Sequence, residues 1–244
     1  MRVAALYDIH GNLPALESVL ADPRCAEADL IVCGGDLVAG PLPAECLDRL
    51  EAERERVRFL SGNGDRETVA PPEEGALAEI GRWAAARLGP ERLERVARWP
   101  PTVQLDVEGL GRVLFCHATP TSDTEILTAI TPADDVVAAL AGVDADVVVC
   151  GHTHVQYDRP AGTTRLVNAG SVGTPYEGSP DARWALLGDG EVALVSTTYD
   201  ADRARADLAR TGFPYTDDWY RDVFLGKVTA DEATAIFEGR RRGA

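Results

Sequence analysis

The stretch "RVAALYDIHGNLPALESVLAD", residues 2–22, decides the fold that we expect for this chain. It opens with a mostly apolar run, residues 2–7, which predicts a short buried strand. A polar turn follows, and Pro14 then suits the first turn of a helix. The apolar residues of that helix recur at helical spacing: Leu13, Leu16, Val19 and Leu20. The stretch therefore predicts a strand that runs into a helix.

The same order continues along the chain. The segments "DLIVCGGD" and "VRFLSGNGD" predict a second and a third strand, and "PLPAECLDRLEAERER" between them predicts a helix. Strands that alternate with helices at this spacing form a parallel sheet. Functional groups are then expected at the carboxyl ends of the strands. The glycine-rich residues 62–66, "GNGDR", predict a turn that carries Asn63.

The rest of the chain predicts one core domain with helical additions. Residues 71–101 are rich in Ala, Arg, Glu and Leu, which indicates two helices inserted between core strands. Further strands are predicted by "TVQLDVE", "RVLFCH", "DVVVCGHTH", "TRLVNAGS", "RWALLGD" and "EVALVS". After Thr198 the pattern is helical again. We expect a core domain over 1–198, with a helical insert at about 71–101, and a helical extension over 199–244 packed on the core.

The acidic net charge of the chain argues against nucleic acid as a partner. The 244 residues carry a net charge of −16, and no cluster of Lys and Arg precedes the final "GRRRGA". We therefore expect no extended groove for nucleic acid. An acidic protein can still bind an anionic substrate where bound metal ions reverse the charge locally.

The cysteines and the amino terminus indicate a compartment. The five cysteines are an odd number without CxxC spacing, so we expect free thiols in a reducing environment. No secretory leader and no apolar run long enough to cross a bilayer are recognisable in the sequence. We expect a cytoplasmic protein without membrane contact, and a homo-oligomer stays open.

Residues of metal-binding types stand at the predicted strand ends. The chain has four histidines, and all of them belong to this set. The set comprises Asp8, His10, Asp36, Asn63, His117, His152 and His154. Since residues i and i+2 of an extended strand point the same way, Asp8 with His10, and His152 with His154, are each expected to face one cavity. One such histidine alone is more often a surface or core residue, so the prediction depends on the joint pattern.

This ligand set predicts two metal ions. Carboxylate, imidazole and amide groups without a thiolate favour divalent ions such as manganese, iron, zinc or nickel. The seven candidates exceed the needs of one four- to six-coordinate ion. Two ions about 3.5–4 Å apart that share a carboxylate are the simplest arrangement. The cysteines beside these motifs are expected to be buried core residues.

Five motifs, in this order, resemble those of the calcineurin-like metallophosphoesterase superfamily: "DIHGN" (8–12), "GGD" (34–36), "GNGD" (62–65), "CH" (116–117) and "GHTH" (151–154). The loop "NAGSVGTP" (168–175) is also similar to one in the small bacterial and archaeal phosphodiesterase branch. The resemblance covers residues 1–198. It implies an α/β fold, namely a four-layer α/β/β/α sandwich of two mixed sheets flanked by helices.

The resemblance also implies site roles. The implied ligands are Asp8, His10 and His154 for the first ion, Asn63, His117 and His152 for the second, and Asp36 as the bridge. The implied catalytic set is Asp36, Asn63, Asp65 and His117. The implied activity is hydrolysis of a phosphate ester, with a phosphodiester favoured, by in-line attack of a metal-bridging hydroxide. The substrate would be a small phosphate ester or a nucleotide.

Three further polar residues lie in these motifs. Asp65 is expected to orient a neighbouring ligand, and a turn-forming aspartate is the alternative. Asn12 and Arg66 are the nearest polar side chains that are not ligands, so they are candidates for binding the substrate. Arg66 would contact a phosphate oxygen, and a solvated loop arginine is the alternative.

Gly64 departs from the family pattern. Many members carry a histidine there that is thought to assist the leaving oxygen, whereas the small phosphodiesterase branch often carries a cysteine. General acid assistance is commonly worth about 10²- to 10⁴-fold. Without it we expect a preference for phosphodiesters with good leaving groups over alkyl monoesters. Gly64→His should then raise activity toward poor leaving groups.

Two other functions stay open at this point. The same two-metal site would support hydrolysis of dinucleoside polyphosphates or of phosphoproteins. Outside enzymes, the alternative is a scaffold that keeps the fold and binds a protein partner. The complete ligand set argues against the scaffold.

Overall fold

The computed structural model describes residues 1–215 and 220–243, and for Phe224 only the backbone. Two five-stranded sheets form the centre of this described part. The strands are β1 Val3–Leu6, β2 Leu30–Cys33, β3 Val57–Phe59, β4 Thr102–Val107, β5 Gly111–Cys116, β6 Val147–Cys150, β7 Tyr157–Ala161, β8 Thr164–Asn168, β9 Ala182–Gly188 and β10 Glu191–Thr197.

Both sheets are mixed. The first has the order β10-β9-β1-β2-β3, with β1, β2 and β3 parallel, β9 antiparallel to β1, and β10 antiparallel to β9. The second has the order β4-β5-β6-β8-β7, with β5, β6 and β8 parallel and the two edge strands antiparallel. The predicted pair of mixed sheets flanked by helices is confirmed.

Helices cover the outer faces of the sheets, and in the described part of the chain three more helices follow the last strand. Their bounds are α1 Leu13–Ala21, α2 Pro23–Ala26, α3 Pro43–Glu51, α4 Asn63–Val69, α5 Ala76–Val96, α6 Ala133–Ala139, α7 Ala201–Ala209, α8 Arg221–Phe224 and α9 Ala230–Gly243. Within α5, Gly89 has a φ of 71° and Pro90 follows it, so α5 consists of two helices joined at a kink.

Alternate residues of β1 serve two different layers, which is why this short strand is apolar throughout. Leu6 lies in one core cluster with Leu16 of α1 and Leu47 of α3. Ala5 lies in another cluster with Phe115 of β5, between the sheets. Because successive side chains of a strand point to opposite faces, β1 contributes to both cores of the sandwich. The site described below lies beyond its carboxyl end.

Some elements differ from the sequence prediction. The predicted turn at 62–66 is wrong, because helix α4 begins at Asn63. Its amino terminus is stabilised by the carboxylate of Asp65, which accepts a hydrogen bond from Gly62 N at 3.1 Å. Strand β7 and helix α6 were not predicted. Strand β7 contains Pro160, which the sheet tolerates because β7 is an edge strand.

The chain after Thr198 contacts the core through buried side chains. Tyr220 and Phe213 share an apolar cluster with Ala39, and Tyr220 is fully buried. In α9, the buried carboxylate of Glu238 accepts hydrogen bonds from Thr128 and Thr131. The division into a 1–198 domain and a 199–244 extension stays a prediction. No helix among the described residues is long and apolar enough to span a membrane.

Candidate metal centre

The predicted ligands share an unusual backbone conformation. Among the described residues other than glycine, six have a positive φ. Five of the six are predicted ligands: Asp8 (52°), His10 (47°), Asp36 (52°), His152 (67°) and His154 (57°). Asp and His tolerate this left-handed region better than most residues, but it still costs about 1–2 kcal/mol each. The site is therefore assembled from strained backbone.

This conformation corrects the reasoning from strand alternation. Asp8 and His10 do not lie in an extended strand, because both follow β1 in left-handed conformations. Backbone bonds to the next loop hold them there: Asp8 N donates to Gly35 O at 3.1 Å, and His10 N donates to Asp36 O at 2.8 Å. The two side chains converge because the loops after β1 and β2 are tied together.

The first cluster consists of Asp8, His10 and His154, the set that the family resemblance implies for one ion. The Nε2 atoms of His10 and His154 lie 3.3 Å apart. Asp8 Oδ1 lies 3.3 Å from His154 Nε2 and 3.8 Å from His10 Nε2. All three side chains are buried. A single ion between these atoms would reach one ligand atom of each residue.

The hydrogen bonds of this cluster favour a cation over a proton network. His10 Nδ1 lies 3.0 Å from Ala39 O, and His154 Nδ1 lies 2.8 Å from Thr174 O, so each Nδ1 carries the donated hydrogen. The two Nε2 lone pairs then face each other. Asp8 Oδ1 is also buried without a hydrogen-bond partner among the described residues. Three converging acceptors in a buried space fit a bound metal ion.

The second cluster adds Asp36 and His117. His117 Nε2 lies 3.5 Å from Asp36 Oδ2 and 3.9 Å from Asp8 Oδ1. Its Nδ1 lies 3.0 Å from Gly34 O, so Nε2 again faces the carboxylates. Asp36 Oδ2 is also 3.7 Å from His10 Nε2, so this one oxygen lies between the two clusters. Asp8 Oδ1 has a comparable position, since it approaches imidazoles of both.

Asn63 and His152 complete the second cluster. One end of the Asn63 amide lies 3.3 Å from His117 Nε2 and 3.2 Å from His152 Nδ1. Protein hydrogen bonds alone would place the amide nitrogen at this end. A cation shared with two imidazole nitrogens would instead require the amide oxygen there. The structure thus brings all seven predicted ligands together.

The buried carboxylates of the site attract positive charge to its centre. Burial alone would lower the pKa of His117, but attraction to Asp36 and Asp8 raises it to about 10. Burial would raise the pKa of Asp36, but attraction to His117 and His10 keeps it well below its ordinary value. Burial and repulsion by His117 lower the pKa of His152 to about 4. Without a metal ion, His117 therefore carries a proton that an ion bound at its Nε2 would replace, whereas His152 is neutral, which is the form that binds metals.

Asp65 connects the two loops that carry Asp36 and Asn63. Its carboxylate is fully buried and accepts hydrogen bonds from Leu37 N at 2.9 Å, Val38 N at 3.0 Å and Gly62 N at 3.1 Å. The first two follow Asp36 in the chain, and the third precedes Asn63. Burial and the neighbouring Asp36 raise the pKa of Asp65 to about 7, against the effect of the N–H donors.

The two candidate substrate contacts have other partners. Asn12 is fully buried; its amide nitrogen donates to Gly173 O at 2.8 Å, and its oxygen accepts from Ala15 N at the start of α1. Arg66 is exposed and forms a bidentate ion pair with Asp123, at 2.6 and 3.2 Å. Asn12 would have to break these bonds to reach a substrate, whereas Arg66 already points to solvent.

Several neighbours of the ligands were not predicted. Asp123 pairs with Arg66, and its backbone carbonyl lies 3.3 Å from the Asn63 amide. Tyr176 stacks on His154, with ring centroids 4.7 Å apart and an angle of 18°. In α9, Phe237 lies 6.5 Å from the His152 ring. The only sequence signal for Tyr176 was its place just after the "NAGSVGTP" loop, whose Ser171 Oγ donates to Asp8 O at 2.7 Å.

This chain resembles known proteins in sequence and in fold. Residues 1–188 match the model of the calcineurin-like phosphoesterase superfamily domain. An uncharacterized protein of Methanocaldococcus jannaschii is 26% identical over 254 residues, which cover 92% of this chain and 98% of that protein. A metallophosphoesterase structure from Sphaerobacter thermophilus has a TM-score of 0.77 at 23% identity, covering 93% of this chain and 100% of that one. A hypothetical protein from Pyrococcus horikoshii has a TM-score of 0.80 at 20% identity, covering 92% and 98%. Both structures share the fold.

Proposed function

Since this chain belongs to the calcineurin-like phosphoesterase superfamily, we propose that it hydrolyses phosphate esters with the help of two divalent metal ions. One observation carries the proposal: Asp36 Oδ2 lies 3.7 Å from His10 Nε2 in one cluster and 3.5 Å from His117 Nε2 in the other. A carboxylate oxygen between two sets of imidazole nitrogens is a suitable bridge between two cations.

We assign the ligands by cluster. The first ion would be held by Asp8, His10 and His154, the second by Asn63, His117 and His152, and both by Asp36. Asp8 Oδ1 also lies 3.9 Å from His117 Nε2, so Asp8 supports the second position as well. The donor set of oxygen and imidazole nitrogen suits manganese, iron, zinc or nickel.

The bound ions would supply an acidified water and neutralise charge on the phosphoryl oxygens. The chain's own residues keep the site rigid around them. Backbone carbonyls orient the rings of His10, His117 and His154, so that the Nε2 atom of each faces the centre. Asp65 ties the Asp36 loop to the start of α4, where Asn63 lies. Together these bonds fix the ligands before a substrate arrives.

We propose that phosphodiesters with good leaving groups are the preferred substrates. All four histidines of the chain are in the ligand set, so none is left as a general acid. Asp65 is buried and engaged with three backbone N–H groups, and Arg66 is paired with Asp123. Without an acid to protonate the leaving oxygen, substrates whose leaving group departs as a stable anion should react faster.

The activity test compares bis(4-nitrophenyl) phosphate with an alkyl phosphate monoester in the presence of Mn²⁺. We expect turnover of the diester, its loss with a chelator, and a loss of about 100-fold or more in Asp36→Asn. Asp189→Asn is the matched control, because Asp189 is also an aspartate with positive φ, at 55°, but lies in the β9–β10 hairpin. It should retain wild-type activity.

The metal mechanism and the diester preference would be contradicted by different results of this test. If chelation and Asp36→Asn leave diester turnover unchanged, the metal mechanism is wrong. A clearly faster reaction with the alkyl monoester would remove the diester preference while leaving the metal mechanism in place. The complete absence of hydrolysis in a protein loaded with metal would favour a binding scaffold.

A further inference from the structure

A cavity of about 520 Å³ adjoins the metal centre on the side of His117. Its walls come from the segment around Trp99 and from the loop over residues 119–123, and Ser61 and Arg66 lie between them. This volume is in the range of small-molecule sites. The cavity shares His117 with the second cluster, so a group bound in it would be next to a phosphoryl group bound at the metals.

The aromatic wall of the cavity is held firmly. Trp99 stacks on Phe59, with ring centroids 4.9 Å apart and planes within 7° of parallel. The next residue, Pro100, accepts a hydrogen bond from Ser61 N at 2.9 Å, which ties this segment to the chain just before Asn63. Trp99 is half-buried and lines the cavity. A fixed, partly exposed indole is a platform on which another planar ring can stack.

The polar groups of the cavity favour an uncharged ligand group. Of the described residues that line it, Arg66 is the single lysine or arginine, and its guanidinium is neutralised by two contacts with Asp123. Apart from His117, which the cavity shares with the metal ligands, the remaining polar lining consists of hydroxyl groups of Ser61, Thr119, Thr121 and Ser122. A polyphosphate chain would need unpaired cations here. A neutral planar ring with hydrogen-bonding edges needs an aromatic face and hydroxyl groups.

We propose that this cavity is a subsite for a planar aromatic substituent of the phosphate ester, either a nucleobase or an aryl ring, stacked on Trp99. The inference rests on the proposed function, because the phosphoryl group at the metals brings the substituent to the cavity. Trp99 would act as a specificity residue that does not touch the reacting atoms.

The test measures binding by titration calorimetry on Mn²⁺-loaded protein. The ligands are methyl phosphate, phenyl phosphate and adenosine 5′-monophosphate, which present the same phosphoryl group with different substituents. We expect the two aromatic ligands to bind about tenfold more tightly than methyl phosphate, as stacking on an aromatic side chain predicts. Tighter binding of the nucleotide than of phenyl phosphate would show that the subsite prefers a nucleobase. Equal affinities for these two ligands would show that the subsite accepts any planar aryl ring.

Variants locate the effect. Trp99→Leu keeps apolar packing against Phe59 but removes the planar face, so it should abolish the aromatic gain and leave methyl phosphate binding unchanged. Trp99→Phe keeps a planar ring, so it should retain most of the tighter binding of the aromatic ligands. Trp83→Leu is the matched control, since Trp83 packs in α5 against Phe213 and does not line the cavity.

Failure of the subsite and failure of the proposed function give different results. If methyl phosphate binds but the wild-type protein shows no aromatic gain, the subsite is wrong and the metal site stands; this comparison needs no variant. A gain that survives in folded Trp99→Leu would also overturn the subsite. If no phosphate ester binds to the metal-loaded protein, the proposed function falls and the subsite falls with it.

Discussion

The hydroxyl of Tyr220 donates a hydrogen bond to the backbone carbonyl of His10. Tyr220 is fully buried and lies 210 positions further along the chain. His10 is a predicted metal ligand with a φ of 47°, so this bond restrains a strained part of the site. The C-terminal region therefore contributes directly to the geometry of the candidate metal centre.

Tyr220→Phe should weaken metal binding. The phenyl ring keeps the packing with Phe213, but the His10 carbonyl loses its donor, at a cost of about 1 kcal/mol. Part of this cost should appear as a several-fold lower affinity for Mn²⁺, because the His10 loop becomes less constrained. Metal titration followed by calorimetry measures it.

Tyr215→Phe is the control for this variant, since the Tyr215 hydroxyl bonds Glu79 on the exposed side of the same cluster. It should leave metal affinity unchanged. Equal metal affinity in Tyr220→Phe and wild type, with only the stability lowered, would mean that the hydrogen bond from Tyr220 stabilises the fold without restraining the metal ligands.

The structure gives a steric reason for glycine at position 64, which was not predicted from the sequence. A Cβ atom at this position would lie 2.8 Å from the Ala39 Cβ and 3.0 Å from Asp36 Oδ1. Gly64 N also donates to Asp36 Oδ1 at 2.6 Å, so the backbone has little freedom to move away. We therefore expect Gly64→Ala to lower the free energy of unfolding by about 1–3 kcal/mol.

The double variant Ala39→Gly with Gly64→Ala should recover part of that loss, because it removes the nearest clashing atom. Denaturant unfolding of the four proteins of this cycle gives the coupling energy. Strict additivity of the two changes would contradict the steric explanation. Gly64→His alone is thus a poor test of leaving-group assistance, and it should be made together with Ala39→Gly.

The attachment of α9 should depend on pH through Glu238. Burial opposes ionisation of this carboxylate, but hydrogen bonds from Thr131, Thr128 and Arg241 lower its pKa below the ordinary value of 4.5. A carboxylate with a lowered pKa in the folded state stabilises the protein above the ordinary value. That stabilisation is lost as the pH falls through the lower folded value.

Melting temperatures of wild type and Glu238→Gln between pH 8 and pH 3 test this dependence. We expect the wild type to be more stable by a constant margin down to about pH 5, and the margin to shrink below about pH 4.5. Arg241 and Arg242 both lie within 4 Å of the Glu238 carboxylate, and Asp135 pairs with Arg241. A margin that does not change with pH would show that ionisation of Glu238 is unimportant.

The parts of the fold that depend on local pattern were predictable. Apolar runs such as "VAAL" and "VVVC" mark buried strands, and the order of strands and helices determines which ends meet. The ligand types at those ends then indicated a metal site, and the structure brings them together from the ends of β1 and β2 in one sheet and of β5 and β6 in the other.

The remaining features depend on contacts that no local pattern encodes. The left-handed φ of Asp8 accompanies its backbone hydrogen bond to Gly35, which lies in another loop. Helix α4 forms where a turn was predicted, because the Asp65 carboxylate accepts a hydrogen bond from Gly62 N at the start of the helix. The contacts of Arg66 with Asp123 and of Glu238 with Thr128 join residues 57 and 110 positions apart. Separations of this size are outside the reach of periodicity and spacing.

The most direct test of the two-metal centre is the metal content of the purified protein after loading with Mn²⁺, measured by elemental analysis. We predict two ions per chain in wild type and in Asp189→Asn, and fewer than two in Asp36→Asn, in which the oxygen between the two clusters loses its charge. A wild-type protein that binds at most one ion, or an Asp36→Asn variant that retains two, would contradict the proposed centre.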